Sequence, residues 1–248
     1  MAMATTMRRD VFEDSLSEDN GYQIDYDAET SVFTNECKEF MNMFVSKIFS
    51  KGDMSQEEKA QFGVICQHAA ARRWFARYIN MQRENMCVDE TIFFRLVQYF
   101  ATVLFECHQA DDFSPAKTLM NMCFTFYQVF YSGKNTEKKE FLHTYLRDQP
   151  IWRTLRFWNA AFLDSVHSEQ DQPTLPQSDW DTLSDKEKNA QRDLHKNRMF
   201  GQLGSFASNM KAFGLPKATC EDFIQKMSTI GDLDEEQILL LQKNFEKN

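Results

Sequence analysis

Three short stretches of this chain hold residue types that could do chemistry. The run QPIWRTLRFWNAAFLDSVHSE, residues 149–169, interleaves Trp152, Phe157, Trp158 and Phe162 with Arg153 and Arg156. Trp and Arg concentrate at the energetic centres of protein interfaces, where they combine large contact area with directed hydrogen bonds. A second run, ARRWFARY, brings together Arg72, Arg73, Trp74, Phe75, Arg77 and Tyr78. Cations alternating with aromatics suit phosphate or nucleic-acid contact. A third, CHQADD, holds Cys107, His108, Asp111 and Asp112, the residue types that ligate zinc.

Each stretch also has a plainer reading. On a helix opened by Pro150, residues Ile151, Leu155, Trp158, Phe162 and Val166 share one face, with Trp152 and Leu163 at its edges. Core packing is the favoured reading. A docking surface built on Trp152, Arg153 and Arg156 is the alternative, and catalysis comes third. In the second run, arginine stems cover apolar surface beside aromatic rings. Arg72 and Arg73 are therefore read first as a helix edge with internal acidic partners, and second as partner-binding residues. In the third, Cys107 and His108 are adjacent and point about 100° apart on a helix. No second cluster supplies the missing zinc ligands at a recognisable spacing. The five histidines stand apart in sequence, and no nucleophile elbow, phosphate loop or HExxH pattern occurs. The expectation is a non-enzyme with no catalytic residues, no cofactor and no metal. An enzyme whose site is assembled from distant residues is kept as an alternative.

Charge narrows the partners. The 248 residues carry a formal net charge of -9, which opposes the approach of phosphate backbones and anionic head groups. Nucleic acid is not expected as a partner, nor is direct lipid binding. No run reaches the roughly 20 apolar residues of a membrane span. The start, MAMATTMRRD, leads into acidic residues instead of an apolar stretch, so no secretory signal is read there. Six scattered cysteines without CxxC spacing read as reduced core residues, and a cytoplasmic location is expected.

The elements that must position these residues are helices. With 23 Phe and 13 Met against 8 Gly and 5 Pro, the composition favours long helices over tight hairpins. Residues 1–34 are acidic with isolated apolar positions and read as a disordered leader. Phe40, Met41, Phe44, Val45 and Ile48 then recur at helical spacing. Ser55 with Glu58 and Ser184 with Glu187 form capping boxes, and Asp234 with Gln237 is a variant of one. Asp89 caps a helix striped by Ile92, Leu96, Phe100, Val103 and Cys107. Ser114 and Pro115 read as N-cap and first helical residue. Residues 132–140 read as a polar connector and 168–182 as a loop marked by Pro173 and Pro176. The helix capped by Ser184 is expected to break near Gly201 and Gly204, while Gly214 and Pro216 mark a stop and a new start. The sum is an all-α fold of seven to nine helices without a sheet: a leader over 1–34 and one globular domain over 35–248.

Five segments together carry a resemblance: RRWFARYINMQR, FFRLVQYFATVLFECHQADDFSPAKTLMNMCFTFYQ, QPIWRTLRFWNAAFLDSVHSE, FGQLGSFASNMKAFGL and IGDLDEEQ. Over residues 35–248 they resemble an orphan family of animal cytoplasmic proteins of the KIAA cDNA series. Their core is similar to the helical region that follows the DENN module in SET-binding-factor proteins, the myotubularin-related pseudophosphatases. The resemblance implies a helical module with no assigned catalytic residue, in a trafficking or signalling setting. The neighbouring exchange and phosphoinositide-binding parts are not found in this chain, so their activities are not carried over. Vertebrate relatives place a long charged insert where this chain has residues 128–141, which implies a surface loop there.

The reading that results is a non-enzymatic adaptor or scaffold for protein–protein interaction, whose partners the sequence does not name. A small-GTPase regulator is the first alternative, and would need an exposed Arg or Gln aimed at a nucleotide.

Overall fold

The computed structural model describes residues 28–132, 136–170 and 184–247. The chain divides into two units, Met1–Asn35 and Glu36–Asn248. Helix α1, Ala28–Phe49, opens inside the stretch expected as leader, and residues 1–27 lie outside the described residues. It is followed by α2 (Gln56–Ile65), α3 (Ala69–Met81), α4 (Glu90–Ala110) and α5 (Phe113–Cys123). A hairpin of β1 (Tyr127–Ser132) and β2 (Thr136–Phe141) comes next, then the single turn α6 (His143–Leu146) and a 3-10 turn, Pro150–Arg153. The chain continues with α7 (Leu155–Gln170), α8 (Asp185–Ala212), α9 (Lys217–Ile230) and α10 (Glu235–Lys247).

The all-α class holds. Ten α-helices lie among the described residues, against an expected seven to nine, and the one sheet among them has two strands. The local start signals work as read. Both capping boxes are closed in both directions, and Asp89 accepts from the amides of Thr91 and Ile92. The Asp234 carboxylate accepts from the Gln237 amide at 2.9 Å, and the Gln237 side chain accepts in return from the Asp234 amide.

Four local expectations are corrected. Helix α8 runs unbroken through Gly201 and Gly204. A Cβ at Gly204 would meet only the Leu241 side chain, at an ordinary contact distance of 3.4 Å, and one at Gly201 would meet nothing within 4 Å. Helix α5 starts at Phe113 with Asp112 at its N-cap, ahead of Ser114, and the Asp112 carboxylate makes no capping bond but accepts from Arg72. Of the supposed connector 132–140, Ser132 ends β1 and residues 136–140 form most of β2. The strand exists because β1 gains partners on both sides: β2 pairs along it, and Val88 and Met86 exchange backbone hydrogen bonds with Tyr127. Lys138 over Phe130 and Lys139 over Tyr127 add cation–π contacts across the hairpin. The loop expected over 168–182 is helical to Gln170 and lies outside the described residues from 171 on.

Two aromatic clusters form the core. The first joins α1 to α4. Phe44 stacks on Phe62 at 4.4 Å and meets Tyr99 edge-on at 4.8 Å, while Phe75 meets both Phe62 and Phe100. The second joins the 3-10 turn to α7, α8 and α9 through Trp152, Trp158, Phe206, Phe213 and Phe223. Helix α5 lies against α3 on one side and α7 on the other, and α4 packs on α5 and on the 3-10 turn.

Candidate partner-binding surface

The tryptophans of the 149–169 run are interior. Trp152 and Trp158 are fully buried, as are Ile151, Phe157 and Phe162. The Trp152 ring stacks on Phe213 at 4.5 Å and its indole N–H donates to the Leu146 carbonyl at 2.8 Å. The Trp158 indole donates in turn to the Trp152 carbonyl at 2.8 Å. That carbonyl is thereby withdrawn from helical pairing. Thr154 turns extended, and the expected single helix from Pro150 becomes a 3-10 turn followed by α7. The phase shift puts Leu155 outside, at 43% exposure, and Val166 only half inside, while Phe157 and Trp158 face the core together. Trp152 thus lies in the core, in line with the favoured reading of this run, and presents no surface in this structure.

Arg153 and Arg156 are exposed, as expected for docking residues, but the molecule supplies acceptors for both. Arg153 donates to the Gly214 carbonyl at 2.9 Å and pairs with Asp148 at 3.3 Å. Arg156 pairs with Asp111 at 2.8 Å and lies over the Phe113 ring. Exposed pairs of this kind contribute about 0–1 kcal/mol each.

The turn between α4 and α5 reaches both arginine-rich runs. Asp111 has a left-handed backbone and engages Arg156, and its neighbour Asp112 engages Arg72 at 2.9 Å. Arg72 is only 3% exposed. It also donates to the carbonyls of Cys66 and Gln67 at 3.0 and 2.8 Å. These carbonyls follow the last residue of α2, so the guanidinium closes the end of that helix and complements its dipole. Helix α2 ends at Ile65 and α3 opens at Ala69, so Arg72 reaches back from the first turn of α3 to the end of α2. Arg72 acts as a structural clamp, with internal acceptors in Asp112, Cys66 and Gln67.

The remaining members of ARRWFARY face outward. Ala71, Phe75, Ala76 and Ile79 bury one side of α3, which leaves Arg73, Trp74, Arg77 and Tyr78 on the other. Trp74 and Tyr78, one turn apart, stack at 5.6 Å with 24° between their planes. Arg77 lies over the Trp74 ring at 5.1 Å, and Lys38 of α1 lies over it at the same distance. Lys38, Arg73 and Arg77 are all exposed and make no ion pair among the described residues. A cation–π contact at such a site is worth about 0.5–1 kcal/mol. It orders the cations over the indole without neutralising them. The sequence pattern of α3 carries the signal for Trp74 and Arg77, because the Ala71–Phe75–Ile79 stripe dictates the opposite face. It carries none for Lys38, which comes from another helix.

The thiol and carboxylate chemistry of CHQADD is spent inside the fold. Burial pushes the Cys107 thiol up to about 12, and raises Cys66 as well, so both stay protonated at neutral pH. All six cysteines are free. Asp111 and Asp112 are held by the two arginines already described.

The fold and this surface define a helical module with a packed aromatic core and one cation-rich aromatic face. The family model described as SBF2, a myotubularin protein, matches residues 24–229, and the chain belongs to that family. It is similar to the human protein named "Uncharacterized protein KIAA0513", with 35% identity over 342 aligned positions covering 97% of this chain and 82% of the human one. No solved structure matches the chain.

Proposed function

We propose that this chain is a non-enzymatic adaptor of the SBF2 family, and that the outward face of α3 is its protein-binding surface. The observation that carries this reading is that Lys38 and Arg77 lie over the half-exposed Trp74, with Arg73 exposed one turn before Arg77 on α3, and none of the three makes an ion pair among the described residues. Trp, Tyr and Arg are the side chains that interface hot spots favour, and here they share a rigid helix. A cytoplasmic setting accords with the six free thiols, four of which burial pushes well up, from Cys220 at about 11 to the higher values of Cys66, Cys107 and Cys123. No helix among the described residues is long and apolar enough to cross a membrane. The domain expected over 35–248 extends back to Ala28, where α1 opens, which shortens the leader expected over 1–34 to residues 1–27. Removing residues 1–27 leaves α1 whole and should preserve cooperative unfolding.

Affinity purification with mass spectrometry tests the reading, comparing the full chain with Arg73→Ala/Arg77→Ala. One or more partners should be lost from the variant at unchanged melting temperature. Nucleotide exchange or GTP hydrolysis accelerated by the purified chain, or turnover of a substrate, would replace the adaptor by one of the two alternatives.

A further inference from the structure

The cation-rich face of α3 has a chemistry that selects its ligand. On a chain of net charge -9, Lys38 and Arg77 meet over one indole, Arg73 is exposed one turn before Arg77, and none of the three has an acceptor among the described residues. Every other arginine of the two aromatic runs has such an acceptor: Arg72 in Asp112, Arg153 in Asp148, Arg156 in Asp111. Glu36 and Glu39, which flank Lys38 in α1, are exposed and do not pair with it. Arg73 and Arg77 sit one turn apart on α3, a spacing that lets two guanidinium forks address successive carboxylates of one extended chain. The stacked Trp74 and Tyr78 beside them offer apolar ring surface between the charges.

We infer that Lys38, Arg73, Trp74, Arg77 and Tyr78 form a docking site for an acidic peptide segment of a partner protein, one with carboxylates on either side of an aromatic or apolar residue. The inference rests on the adaptor reading and names the chemistry of its partner. A peptide brings its few negative charges to the ledge alone. A nucleic acid or an anionic bilayer presents an extended array of phosphates to the whole acidic surface, and the long-range repulsion opposes it.

The test uses the full chain and a fluorescein-labelled peptide in which runs of glutamate flank a phenylalanine, read by fluorescence anisotropy. Binding should be saturable and should weaken as salt is raised, because the contacts are exposed. Arg73→Ala/Arg77→Ala should weaken it by about tenfold or more, the scale at which interface hot spots act. The charge-reversed Arg73→Glu/Arg77→Glu should lose the glutamate peptide and gain a matched lysine peptide, a gain that unfolding cannot imitate. Vesicles containing phosphorylated phosphatidylinositol and inorganic phosphate serve as competitors. The inference is overturned if the peptide does not bind, if both arginine variants bind it as the parent does, or if vesicles bind to the ledge more tightly than the peptide. Failure of the peptide alongside loss of partners from Arg73→Ala/Arg77→Ala in the affinity purification would remove the acidic-segment inference and leave the adaptor reading standing. Unchanged partners in that purification would remove both.

Discussion

The runs 72–78 and 152–158 use the same residue types and arrive at opposite arrangements. In 152–158 both tryptophans are fully buried, and the arginines lie outside with internal acceptors. In 72–78 an arginine is buried and the tryptophan lies half outside, beneath two cations that have no acceptor among the described residues. Interleaved Arg and Trp therefore do not by themselves mark a surface. What separates the two is whether the fold places carbonyls and carboxylates within reach. The α4–α5 turn does so twice, giving Asp111 to one run and Asp112 to the other. It leaves Arg73 and Arg77 unserved.

The largest effect should come from the buried indoles. Trp158→Ala removes a fully buried ring that touches Trp152, Phe157, Phe206 and Phe213, and should cost about 3–5 kcal/mol in chemical denaturation. A midpoint equal to that of the parent would contradict a core role. Arg72→Ala should cost about 3 kcal/mol, since it strands Asp112 and two carbonyls at once. Should Arg72→Ala prove neutral, the contrast between an inward and an outward arginine in the same helix would collapse. Gly214 has φ +74 and accepts from Arg153, so Gly214→Ala should lose about 1 kcal/mol to backbone strain alone, seen as a lower melting temperature. Smaller again is Arg153→Ala/Arg156→Ala, expected to shift stability by about 1 kcal/mol or less. A loss of several kcal/mol there would mean that these pairs are tighter than their exposure implies.

What was legible in the sequence is what a few neighbouring residues decide. The capping boxes at Ser55 and Ser184 and the Asp89 cap lie within four-residue windows, and each formed as read. The α4 stripe from Ile92 to Cys107 is buried as its spacing requires. What was not legible depends on partners far along the chain. Arg72 is read as a clamp only when Asp112, forty residues away, is beside it. The break at Thr154 follows from one indole taking a carbonyl that the helix would otherwise use. The hairpin depends on residues 86–88 meeting Tyr127, and its helical-looking approach through MNMCFTFYQVFY conceals it. Of the five residues that the sequence offers for partner contact, Trp152 and Arg72 are interior, Arg153 and Arg156 have internal acceptors, and Arg73 has none among the described residues.

The central claim is that unserved arginines, and not exposed ones in general, make the binding face. It is tested most directly by titrating the glutamate peptide into Arg73→Ala/Arg77→Ala and Arg153→Ala/Arg156→Ala side by side, with melting curves for both. The account expects the first variant to melt like the parent and bind about tenfold more weakly, and the second to bind like the parent. Equal losses in both variants, or a loss confined to the second, would contradict it.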